Sequence, residues 1–124
     1  MRFLVATDSV HTTASACDYL GERAGPDDEV LVLTVDGEGE HRDGTDALNV
    51  ASVRLVEPAV ETLRREGVPA DEILAVADER EVDEVVMGAR QGSPGAETPV
   101  GGTTRQVLAA AAVPVVVVPL ADLN

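Results

Sequence analysis

Short apolar runs alternate along this chain with longer stretches in which apolar residues recur every three or four positions. The runs Phe3-Leu4-Val5-Ala6, Glu29 to Val35, Glu84-Val85-Val86-Met87 and Val115 to Val118 are bounded by turn residues, which predicts strands buried on both faces. A helix follows the first strand, with Thr12 or Thr13 as its cap, and runs to Gly21 or Arg23. Gly25-Pro26-Asp27-Asp28 is a turn, and Asp36 to Asp46 is a polar loop. Asp46 then caps a second helix, Ala47 to about Glu57, with Leu48, Ala51, Leu55 and Val56 on its apolar side.

Pro58 forces a choice. One helix from Ala47 to Glu66 would hold a proline in its middle, at a cost of about 3 kcal/mol. Ending the helix at Glu57 leaves Ala59 to Arg65 as a strand and keeps strands and helices alternating, so the strand is preferred. Pro69 then opens a third helix to Arg80 or Glu81, with Ile73, Leu74 and Ala77 inward. Gly102 or Thr103 opens a last helix through Ala112. Right-handed crossovers convert this order into an α/β fold: an open, doubly wound, five-stranded parallel sheet with helices on both faces, in a single domain over residues 1–124. The strand order expected is 3-2-1-4-5.

Composition refines the picture. With one Phe, one Tyr and no Trp, the core is built from Val, Leu and Ala. The 23 acidic residues face nine basic ones, all Arg, for a net charge of −14. That imbalance repels itself in dilute buffer and is screened in strong salt, the expectation for a halophilic protein in a salty cytosol. It also disfavours nucleic acid as a partner, because phosphates need a basic stripe. No stretch matches a membrane span, since Pro114 and Pro119 interrupt the most apolar one. The first residues enter a strand with no signal-like segment, and the single Cys17 lies in an apolar helical pattern as a buried thiol. A cytoplasmic location is expected.

In such sheets ligands bind beyond the carboxyl ends of the strands, where the strand order reverses. Thr7 and Asp8 follow the first strand, Val35 ends the second, and Met87 and Gly88 end the fourth. A segment rich in glycine continues from Gly88, with Arg90 its one cation, through Gly92 and Gly101 to the helix start at Gly102 and Thr103. Glycines admit a close ligand and turn backbone N–H groups toward an anion, and a helix start adds its positive end. The same segment also reads as an ordinary connection, Asp8 as the cap of its own turn, and Glu97 opposes a phosphate. Without lysine there is no Walker A motif, and G-x-G-x-x-G and G-x-S-x-G are both absent. An aspartyl-phosphate receiver would lack its acidic cluster and lysine, and His11 and His41 have no partners at metal spacing. No catalytic nucleophile stands out.

Four segments carry a family resemblance: Phe3 to Ser9, Val60 to Ile73, Val85 to Arg90, and Val107-Leu108 with Val113 to Val118. They resemble the first strand with its aspartate, the third strand with its turn and helix, the fourth strand and loop, and the final helix and strand of universal stress proteins. Nucleotide-binding members carry G-x2-G-x9-G-[ST] in the loop. Gly88 and Gly101 match its first and third glycines, while Gln91 and Gly102 stand at the second glycine and the hydroxyl; a slipped register recovers Gly92, Gly102 and Thr103. The resemblance implies that Asp8 and Val35 meet adenine and that the glycine segment meets phosphates, with ATP or another adenine nucleotide as ligand. It implies a binding or regulatory module rather than an enzyme. Two other readings stay open: a member acting through protein contacts alone, and a slow ATP hydrolase. Val115 to Val118 form an uncharged edge, whereas Glu61, Arg64 and Arg65 protect the other edge. A second copy is expected to cover the valine edge, as the family resemblance also implies; the tail from Leu120 to Asn124 folding back is the alternative.

Overall fold

The computed structural model describes residues 1–7, 10–36, 59–88 and 102–118. They form β1 (Arg2–Ala6), α1 (Val10–Gly21), β2 (Glu29–Asp36), β3 (Ala59–Glu66), α2 (Pro69–Glu79), β4 (Glu84–Gly88), α3 (Gly102–Ala110) and β5 (Val115–Val118). The five strands make one sheet in the order β3-β2-β1-β4-β5, and every pairing is parallel. The expected helix from Ala47 to Glu57 and the tail from Leu120 lie outside the described residues.

The three inner strands, β2, β1 and β4, are apolar on both sides because each side has its own core. Phe3, Val5, Val30, Val32 and Val86 pack with Ala16, Cys17 and Leu20 of α1. Leu4, Ala6, Leu31, Leu33, Val85 and Met87 pack with Ala70, Ile73 and Val76 of α2 and Val107 of α3. Valine, the commonest strand residue here, suits this two-sided burial, since a branched Cβ fits the pleated surface. Cys17 is buried, as expected.

Element ends depart from expectation where tertiary contacts outweigh local preference. α1 starts at Val10, so Thr12 and Thr13 are not caps. Both are fully buried within the helix, and the Thr13 hydroxyl donates to Thr7 Oγ1 at 3.0 Å. α2 opens on Pro69 without a side-chain cap; Asp71 and Glu72 in its first turn complement the helix dipole. It ends at Glu79, earlier than expected, because Glu81 turns left-handed at φ 52°. The Val82 and Glu81 amides then bond back to the Ala77 and Asp78 carbonyls at 3.1 and 3.2 Å, the Schellman closure. α3 stops at Ala110 rather than Ala112.

The segment after Pro58 is a strand, and β3 is a sheet edge. Its charges do more than blunt that edge. Arg65 reaches Glu79 at 2.6 Å and Glu72 at 3.6 Å on α2, and Glu61 pairs with Arg80 at 2.7 Å. These ties strap the edge strand to its own crossover helix.

Candidate functional site

Strand order reverses between β1 and β4, so the carboxyl ends of those two strands are the candidate crevice for a ligand. β1 delivers Thr7, only 3% exposed. Its amide donates to the Leu33 carbonyl at 2.9 Å, which carries the β1–β2 pairing one residue beyond the strand. Its hydroxyl accepts from Thr13, so the end of β1 is fixed from both the sheet and α1. β2 delivers Val35, half-buried against the core on the α2 and α3 side. β4 delivers Met87 and Gly88, paired with Val117 and Val118 of β5. The Met87 side chain is fully buried in the core, so its main chain is what it can offer a ligand.

The opening turn of α3 meets the same edge. The Thr104 hydroxyl donates to the Gly88 carbonyl at 2.8 Å in a buried bond. Farther along, the Val85 amide bonds to the Pro114 carbonyl at 3.0 Å, near the start of β4. The helix therefore runs from the carboxyl edge of the sheet back to its amino edge, and its positive end stands at the crevice. Gly102 is its first residue and is exposed; a Cβ there meets nothing within 4 Å. Thr103, next in the turn, is half-buried.

Thr7, Val35, Met87, Gly88, Gly102 and Thr103 thus come together from three strand ends and one helix start. Asp8, Arg90, Gly92 and Gly101 lie outside the described residues. Sequence reasoning missed Thr13 and Thr104, the two threonines that brace the site. Their only signal was placement: each falls in the first turns of a helix that follows a strand, where a hydroxyl can reach the strand end. Thr34, near the end of β2, is also buried, and its hydroxyl has no hydrogen-bond partner among the described residues.

The described site residues carry no charge, and the chemistry they offer is backbone amides, hydroxyls and a helix dipole. Among the described residues no cluster could hold a metal ion, and no helix is long and apolar enough to cross a membrane. Charge gathers instead at the amino edge. There the Met1 amine bonds Asp28 at 2.6 Å, Arg2 pairs with Glu29 at 2.7 Å, and the Arg2 amide donates to Asp83 at 2.8 Å. The amine and the Gly25 amide hold the Asp28 carboxyl below its ordinary range. A groove of about 390 Å³ opens beside Arg2, Glu29, Glu61 and Arg80. Those four charges are already paired with one another, and the groove is at the opposite edge from the crevice. On α1, burial and the 2.9 Å bond to Glu84 both raise the Tyr19 hydroxyl above its ordinary pKa.

A model of the universal stress protein family matches residues 36–119, more than half of the chain. No curated protein matches the sequence. Among solved structures, a universal stress protein from Lactobacillus plantarum is 20% identical with a TM-score of 0.74, over 95% of this chain and 97% of that one. A universal stress protein in complex with cAMP is 20% identical with a TM-score of 0.73, over 98% of each chain. A family protein from Arabidopsis thaliana with AMP bound is 17% identical with a TM-score of 0.72, over 98% of this chain and 92% of that one. At these identities the likeness is one of fold.

Proposed function

The chain belongs to the universal stress protein family, and from that premise we propose that it is a binding or regulatory module for an adenine nucleotide such as ATP. The observation that carries this reading is the convergence of Thr7, Val35, Gly88 and the start of α3 at the point where strand order reverses. Structural neighbours with cAMP and with AMP bound support it. In this reading Thr7, Asp8 and Val35 receive the base and ribose. The amides that follow Met87 and Gly88, together with Arg90, Gly92, Gly101, Gly102 and Thr103, receive the phosphates.

The same module is proposed to be a homodimer joined through β5. Val115, Val116 and Val117 are only half-buried in the protomer, although all carry apolar side chains on an edge strand. A second copy paired antiparallel about a two-fold axis covers them.

Titration with ATP tests the nucleotide site. Asp8→Ala is expected to weaken binding through the base, and Gly101→Val to block the phosphates. Wild-type affinity in both variants would remove the site. A second reading, a member that works through protein contacts alone, is favoured by Gln91 and Gly102, which stand where nucleotide-binding members carry a glycine and a hydroxyl.

A further inference from the structure

We propose that Thr104 is a positioning residue for the phosphate end of the site, a latch that holds the first turn of α3 against the end of β4. The choice of ligand rests on the nucleotide reading above; the latch itself does not.

α3 has nine residues, too few to hold helical structure by its own hydrogen bonds. Its position therefore depends on its anchors. Its buried residues are Thr104 and Val107. Val107 packs into the core beside Met87 and Val85. Thr104 lies one turn earlier, is fully buried, and makes the polar contact to Gly88 at 2.8 Å. At the third position of a helix a threonine hydroxyl has no carbonyl one turn back within that helix, so it is free to bond elsewhere. Here it spends that freedom on the last residue of β4. The bond joins the two ends of the segment between Gly88 and Gly102, which are far closer in space than their separation in sequence.

The consequence is local to phosphate. The unpaired amides of a first helical turn and the dipole behind them attract an anion only over about one turn's length. Moving that turn away from β4 lowers the attraction for phosphates. The base and ribose side is built from β1 and β2, whose ends are fixed by the Thr7 bonds to Leu33 and Thr13. Thr104 touches neither of those bonds, so losing its hydroxyl separates phosphate affinity from adenosine affinity.

The experiment compares wild type, Thr104→Val and Thr104→Ser in strong KCl, measuring affinity for ATP and for adenosine and the exchange rates of the α3 amides without ligand. Thr104→Val is expected to lose about tenfold in ATP affinity, because a turn released from Gly88 is in place only a fraction of the time and the apparent affinity falls by that fraction. Adenosine affinity stays within about twofold, far below that tenfold step, Thr104→Ser restores ATP binding, and the Arg105 and Gln106 amides exchange faster only in the valine variant. Unchanged ATP affinity, or equal losses for ATP and adenosine, overturns the positioning role. Wild type that binds neither ligand overturns the nucleotide reading and the phosphate role with it. The exchange rates then judge the latch alone: faster exchange in Thr104→Val supports it, and equal exchange rejects it.

Discussion

Two buried threonines show how one side chain serves opposite ends. Thr104 and Thr34 are both essentially without solvent contact. Thr104 donates to Gly88, whereas the Thr34 hydroxyl has no partner among the described residues. Valine has nearly the same shape as threonine and no hydroxyl, so the same replacement should act with opposite sign at the two sites. Thr34→Val removes a desolvated polar group and is expected to raise stability by about 1 kcal/mol. That corresponds to a melting temperature higher by roughly 3–5 °C for a domain of this size. Thermal unfolding checks it, and an unchanged or lower melting temperature would mean that the Thr34 hydroxyl is satisfied after all. At this scale the sequence was least legible. Thr12 and Thr13 look like caps in the sequence, yet both are buried inside α1, and Thr13 bonds to Thr7 at the end of β1 instead of closing a helix end.

At the scale of elements the reading from hydrophobic pattern was far better. β1, β2, β4 and β5 each fall within a residue of an apolar run, the trace that a strand facing core leaves in the sequence. The segment after Pro58 was the hard case. Glu-Thr-Leu-Arg-Arg favours helix locally, and only the alternation of strands and helices identified β3. The value of Arg65 and Glu61 as ties to α2 was hidden, since their partners Glu79 and Arg80 are distant in sequence. The two sheet edges now contrast clearly. β3 is strapped by ion pairs, while β5 presents four valines with no charge among them. We expect Val116→Asp to abolish pairing between copies and give monomers, or to prevent folding. Sedimentation in strong salt reads the outcome, and a wild type that is monomeric at tens of micromolar, a concentration at which stable dimers persist, would reject the dimer.

The whole molecule carries −14 on 124 residues, and its described ion pairs are mostly at the surface, where each is worth little. Net repulsion therefore dominates the electrostatics until salt screens it, as the Debye length falls from about 10 Å at 0.1 M to about 3 Å at 1 M. The melting temperature is expected to climb steadily as KCl is raised into the molar range, and a flat or falling curve would reject the halophilic reading. The parallel sheet was legible because strands alternate with helices that cross over with a fixed hand, and its observed order is the expected 3-2-1-4-5. The proposed site was legible only as a place, the carboxyl ends of the strands where their order reverses. Thr104 and Thr13, which tie α3 and α1 to the strand ends there, follow from three-dimensional neighbours rather than from any motif. The nucleotide reading stands on that place, so it is best tested on the unmodified protein. Calorimetric titration of the wild type with ATP in strong KCl is predicted to give saturable heat at millimolar ATP or below, abolished by Gly101→Val. No heat at millimolar ATP, with the protein folded and its melting temperature unmoved by the nucleotide, would contradict the account.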